Sequence, residues 1–184
     1  MIPNFDHNLV LPPHTGNPVN FADLSPYPCT SNELCNKFST SSERIGILKN
    51  FLKFRSSLRS LGLLNAIQWL DGSFLEDIEQ QAKRAPRDLD CVTIYWGYDR
   101  AFQNGLVSSL PEFADPISCK KSFQLDHYPF DAGYSPLNTV EMSRYWAQLF
   151  SHNRLGIWKG MLSISVNTPI EDSSALSHLQ SLMP

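Results

Sequence analysis

A chain of 184 residues with 42% hydrophobic content can bury one well-packed core and is short for two ordinary domains. Its formal net charge of -3 gives no broad positive field of the kind that dominates duplex DNA binding, so nucleic acid stays open as a partner but is not indicated. Cys29, Cys35, Cys91 and Cys119 are scattered without metal-ligand spacing and read as reduced core or near-core thiols. The opening Met1-Ile2-Pro3-Asn4-Phe5-Asp6 lacks the positive charge and the apolar run of a signal peptide, and no apolar stretch approaches bilayer-spanning length. A cytoplasmic protein without a membrane partner is the expectation.

Residues 1–40 are rich in Pro, Asn, Ser and Thr, and Pro12, Pro13, Pro18, Pro26 and Pro28 break any regular run, which predicts an extended N-terminal arm. Phe5, Val10, Leu11, Phe21 and Leu24 predict that this arm packs on a single domain formed by 41–184. A helix is expected from Ser41 to Leu61, capped by Ser41 or Ser42 and ended by Gly62, with Ile45, Leu48, Leu52 and Leu61 near helical spacing. Asn65 to Leu70 reads as a short buried strand, Asp71-Gly72-Ser73 as a turn, and Phe74 to Gln81 as a short helical segment. The run Asp88 to Trp96 has the β-branched and aromatic content of a second strand. A weaker helical region over Tyr98 to Phe113 and a third strand over Cys119 to Tyr128 follow. Leu137 to Phe150 reads as a helix whose apolar faces carry Val140, Met142, Tyr145, Trp146, Leu149 and Phe150. Gly160 to Val166 is expected as a fourth strand, and Asp172 to Leu182 as a closing helix capped by Asp172 or Ser173. This alternation implies an α/β or α+β fold, with helices packed on a central sheet of about four or five strands.

The chemistry-bearing pattern is Gly72-Ser73, then a loop, then Asp88-Leu89-Asp90, then Asp126 within Phe123-Gln124-Leu125-Asp126-His127-Tyr128. Side chains at i and i+2 of a strand share a face, so Asp88 and Asp90 form a carboxylate pair whose repulsion calls for a cation. Hard oxygen ligands of this number suit magnesium, or manganese, which takes one or two carboxylates together with substrate phosphates. If the strand of Asp126 neighbours that of Asp88 and Asp90, three acids can bracket two ions in the arrangement used for in-line phosphoryl displacement. Gly72 allows a tight turn whose N–H groups, with the Ser73 hydroxyl, can cradle a triphosphate at a helix start. Lys83, Arg84 and Arg87 in the intervening loop can neutralise that triphosphate or form a solvated surface, and Lys159 reads in the same way.

The order Gly-Ser, Asp-x-Asp on a strand and a lone Asp on a later strand resembles the DNA polymerase beta nucleotidyltransferase superfamily, most closely its minimal single-domain members. A nearer resemblance covers most of the chain. Ile2-Pro3-Asn4-Phe5-Asp6 with Leu11-Pro12-Pro13, Asp71-Gly72-Ser73-Phe74, and Arg154 to Gly160 before a strand resemble a poorly characterised bacterial nucleotidyltransferase-like family of unknown function. The resemblance implies the nucleotidyltransferase fold with a mixed sheet, nucleoside triphosphate and magnesium as requirements, and transfer of a nucleoside monophosphate with loss of pyrophosphate. It implies also that Asp88 and Asp90 hold both metals, while Asp126 holds the catalytic one and helps deprotonate an acceptor hydroxyl.

Other readings compete residue by residue. Asp126 shares its expected face with Ser122 and Gln124 and could be merely wet, with Glu112 and Asp115 as weaker substitutes. The face of Asp88 and Asp90 continues through Val92, Ile94 and Trp96, placing the acids at the mouth of a buried surface. His127 points to the other face and reads as packed or surface, and His7, His14, His152 and His178 have no metal spacing. Trp69, Trp96, Trp146 and Trp158 read as core or rim, and Tyr95, Tyr98 or Trp96 could stack on a base. Nothing selects the acceptor. The lack of a visible acceptor-binding domain favours a protein partner or a second subunit, as in toxin–antitoxin or defence systems, and a catalytically silent module binding a nucleotide or a protein is the alternative.

Overall fold

The β-branched and aromatic run Leu89–Tyr95 forms a strand near the middle of a mixed five-stranded sheet. The strands are β1 (Tyr27–Pro28), β2 (Ala66–Asp71), β3 (Leu89–Tyr95), β4 (Leu125–Asp131) and β5 (Leu162–Ser165), in the order β1-β5-β2-β3-β4. β2 is antiparallel to both β3 and β5, whereas β3 and β4 run parallel, as do β1 and β5. The computed structural model describes residues 1–182, in which seven α-helices pack on this sheet, an α+β architecture. They are α1 (Ser31–Phe38), α2 (Ser42–Ser60), α3 (Ile78–Ala82), α4 (Arg100–Ser109), α5 (Pro116–Phe123), α6 (Pro136–Phe150) and α7 (Pro169–Leu182).

Period-two alternation divides the sheet's two surfaces. Leu70, Leu89, Cys91 and Leu125 belong to the larger core, with Phe51, Phe54 and Leu58 from α2 and Ala175 and Leu179 from α7. Val92, Ile94 and Phe130 belong to a smaller core covered by Trp146 and Phe150 of α6 and by Met161. Each fully buried Phe or Leu contributes about 1.5–3 kcal/mol relative to exposure. Cys35, Cys91 and Cys119 are buried free thiols and Cys29 is half-buried.

Several expectations need correction. The extended arm ends at Thr30, because Thr30 and Glu33 form a capping box that starts α1, and Tyr27–Pro28 join the sheet. Val10 and Leu11 are buried as expected of a packed arm, but Phe21 is 90% exposed. Residues 119–123 are helical rather than extended. Asp115 accepts from the N–H groups of Ile117 and Ser118, Pro116 pre-sets the first turn, and Gln124 ends α5 at φ 55. Ser122 and Gln124 therefore do not share a strand face with Asp126. Asp71 closes β2 instead of opening a turn, and Asp172 is a buried partner of arginines rather than a cap. Trp96 is only half-buried, and Val140, Tyr145 and Leu149 on α6 stay at least half exposed, so only Trp146 and Phe150 of that helix are fully buried.

A chain of buried polar groups crosses the larger core from helices α1, α7 and α2 onto strands β2, β3 and β4. Ser31 hydrogen-bonds Asp172, whose carboxylate accepts from Arg55 Nε at 2.8 Å and from Arg59 Nη1 at 2.5 Å. Arg55 Nη1 donates to Gln68 Oε1 at 2.8 Å, Gln68 Nε2 donates to Thr93 Oγ1 at 3.1 Å, and Thr93 Oγ1 lies 2.8 Å from His127 Nε2. Burial pushes the His127 imidazole down to about 3, so it is neutral and packed, as its face requires.

Candidate metal centre

The register of three strands brings acids into one row. Antiparallel pairing sets Asp71 of β2 opposite Asp90 of β3, and parallel pairing sets Asp90 opposite Asp126 of β4. Asp88 immediately precedes β3 and shares the face of Asp90 by the two-residue period. One carboxylate oxygen from each of Asp88, Asp90 and Asp126 lies within 4.8 Å of the others, with all three side chains partly buried. Glu112 and Asp115 are used elsewhere, accepting from the Ser122 hydroxyl and capping α5.

Gly72 is required at the end of β2 for two reasons. Its φ of 86 is a conformation that side chains rarely adopt, and a Cβ there would stand 2.5 Å from Asp90 Oδ2. The bend thus lies directly against the central carboxylate. The helical segment expected over Phe74 to Gln81 is split into a 3-10 turn at the bend, Ser73–Leu75, and the separate helix α3 from Ile78; Phe74 and Leu75 are buried and Ser73 is partly exposed. A turn this short offers few aligned N–H groups.

Charge is out of balance along the row. Burial, then the charges of Asp71, Asp88 and Asp126, push the Asp90 carboxyl up to about 7 against a smaller opposing pull from Lys159. Burial likewise pushes Asp71 up to about 6, although Lys159 and the Gly72 N–H oppose it. Two ammonium groups serve this region. Lys159 Nζ sits 2.9 Å from Asp71 Oδ1, 2.9 Å from Glu76 Oε1 and 3.2 Å from the Gly72 carbonyl. Burial alone would lower the Lys159 amine, but Asp71 and Glu76 outweigh it and hold it raised. Lys120 Nζ lies 2.5 Å from Asp88 Oδ2 and 3.8 Å from Asp126 Oδ2. Five carboxylates, Asp71, Glu76, Asp88, Asp90 and Asp126, therefore face two ammonium groups, and Asp90 carries the deficit.

The N-terminal arm holds this end of the sheet together. Asp77 N–H donates to the Leu9 carbonyl at 2.9 Å and Gly160 N–H to the Leu11 carbonyl at 2.7 Å, so residues 9–11 tie the segment after the bend to the one bearing Lys159. Gly160 admits this close approach, since a Cβ would collide with the Pro12 carbonyl and the Tyr27 ring.

The sequence pointed to the three clustered aspartates and the bend, but not to the neighbouring Asp71, Glu76, Lys120 and Tyr128, and Lys159 proves different from a solvated or loop-like cation. Lys159 is 2% exposed, not solvated, because partners more than eighty residues away enclose it. Tyr128, one row beyond Asp126, has its hydroxyl raised by burial and by Asp126, and its ring lies 5.2 Å from that of Trp146. Lys83, Arg84 and Arg87 are exposed, and among the described residues none pairs with the acid row. Tyr95 and Trp96, five and six residues beyond Asp90 along an extended segment of about 17–20 Å, are too distant to stack on a base there, and Tyr98 lies past the end of β3. Tyr98 instead stacks on Phe102 at 4.3 Å and accepts from the N–H groups of Leu64 and Asn65.

Residues 3–165 match the family of unknown function DUF6932. The chain belongs to that family. No curated protein and no solved structure matches it significantly. The DUF6932 match ends on the last residue of β5, so it contains the whole acid row, the Gly72 bend and both lysines and leaves out α7.

Proposed function

We propose that the chain is a magnesium-dependent nucleotidyltransferase that takes a nucleoside monophosphate from a nucleoside triphosphate to a hydroxyl acceptor. The observation that carries this reading is the convergence of Asp88, Asp90 and Asp126 within 4.8 Å, with a central carboxyl pushed up to about 7 by burial and by its acidic neighbours. Oxygen-only donors, two from the β3 segment and one from the neighbouring β4, fit magnesium, or manganese, better than zinc or copper. Asp88 and Asp90 would hold the ions, with Asp126 beside them. When bound, such ions neutralise the charge that develops on attacking and leaving oxygens.

The protein's own groups do the rest. Asp126, more exposed than Asp88, accepts the proton of an acceptor hydroxyl, and Tyr128 orients it from the neighbouring row. Gly72 keeps space free above Asp90, and Lys159 pins the bend through its carbonyl. These residues do not select the hydroxyl acceptor; a protein partner or a second subunit would supply the other half of the site, as in toxin–antitoxin or defence systems.

Pyrophosphate release from each nucleoside triphosphate with magnesium tests the reading directly. Activity that disappears in Asp88→Ala and Asp90→Ala, with circular dichroism unchanged, supports it. A second reading, a catalytically silent module that binds a nucleotide or a partner, draws on the short 3-10 turn after Gly72 and the absence of loop cations from the acid row. Nucleotide binding without pyrophosphate release in the presence of every candidate acceptor would favour it.

A further inference from the structure

Lys120 lies in the last turn of α5, and the αL residue Gln124 leads directly from that helix into β4. The ammonium is thereby delivered to the level of Asp126 by the same short connection that places Asp126 in the row. It bridges two of the three candidate ligands, Asp88 at 2.5 Å and Asp126 at 3.8 Å, while its side chain remains 51% exposed. Lys121 beside it is exposed and makes no ion pair among the described residues, so the pairing is a matter of position and not of a generally basic helix end. The loop cations Lys83, Arg84 and Arg87, for which the sequence leaves triphosphate contact and solvated surface both open, are exposed.

We propose that Lys120 is the resident counter-ion of the acid row in the metal-free protein and that, once a divalent cation displaces it, its ammonium becomes a ligand for the polyphosphate of the substrate. The inference deepens the function proposed above and rests on it. An ammonium seated between Asp88 and Asp126 contends with a divalent cation for the same oxygens, and it is a point charge on a flexible stem with three donors and no other ion-pair partner among the described residues. Freed from the carboxylates, it stays within a side chain's length of them. Phosphate oxygens coordinated to the same cation lie inside that reach.

The two roles predict effects of opposite sign, which a merely structural lysine cannot produce. In Lys120→Met, Mn2+ alone, titrated by electron paramagnetic resonance, binds about three- to tenfold more tightly than to the wild-type protein, in keeping with the loss of one partly exposed pair of contacts. Inorganic tripolyphosphate with saturating Mg2+, titrated by calorimetry, binds roughly tenfold more weakly. Lys121→Met, which removes the same charge from the neighbouring position, moves neither. Unchanged Mn2+ affinity in Lys120→Met, or a change of the same sign in both titrations, overturns the inference while leaving the function standing. Failure of Mn2+ to bind the wild-type protein and Asp90→Asn alike would instead sink the function and the inference with it.

Discussion

Asp90 is held where a carboxylate is least able to keep its charge, flanked by Asp71 on one strand and Asp126 on the other and pressed against the Gly72 bend. Two substitutions that both damage the site should therefore move stability in opposite directions. Asp90→Asn removes a buried charge that its acidic neighbours repel, at nearly constant volume, and in EDTA it should be more stable than the wild type by about 1–3 kcal/mol while losing Mn2+ affinity. Gly72→Ala places a methyl group against the carboxylate in an unfavourable φ region, and should cost about 1–3 kcal/mol and weaken Mn2+ binding as well. Calorimetric melts of the two variants decide the matter: if Asp90→Asn is the less stable protein, the charge account of the row is wrong. The pair Asp88 and Asp90 was legible because the two-residue strand period fixes it locally. Lys159 was not, since a lone lysine is buried or solvated according to carboxylates far away in sequence.

At the scale of elements, α7 and α2 are joined to the sheet by a fully buried ionic and polar chain from Asp172 to His127. Burial raises the Asp172 carboxyl, but Arg55 and then its other partners overcome that and hold it below the usual carboxylate range. A depressed folded value means that the unfolded chain binds the proton more readily, so this contribution is complete above about pH 4 and is lost as pH falls through the folded value. Asp172→Asn should lose about 3–5 kcal/mol at neutral pH, because Arg55 is left buried without its counter-charge, and should show a shallower further loss on acidification. Melts from pH 7 to pH 3 check both the size and the slope. None of this chain could be read from sequence, in which Gln68 and Thr93 are ordinary strand residues. The helix α5 was readable, with Asp115 and Pro116 as its start signals, but Phe123 to Tyr128 reads so strongly as a strand that the apolar pattern pulled the boundary forward. Parallel pairing of β3 with β4, which brings Asp126 to the acids, follows from the long crossover through α4 and α5 and not from any local motif.

For the whole molecule, the acid row spans three strands, and a cation held there bonds to two of them at once. Magnesium at a hundred times its dissociation constant should stabilise the fold by about 2.7 kcal/mol and raise Tm by roughly 5–10 °C. The shift should vanish in Asp90→Asn and on adding EDTA, and a wild-type Tm indifferent to magnesium would count against the metal centre. No helix among the described residues is long and apolar enough to cross a membrane. The α+β class, and the order of its principal helices and strands, followed from periodicity and caps. The strand order did not, because β1 and β5 are short and take their places through contacts with the arm and with β2. The arm also reaches across the described sequence, with Gly160 N–H bonded to the Leu11 carbonyl and Asp77 N–H to the Leu9 carbonyl. Contacts so far apart along the chain form only after the intervening loops have closed, so in refolding experiments the end of the sheet that carries the acids should acquire hydrogen-exchange protection later than the helices do.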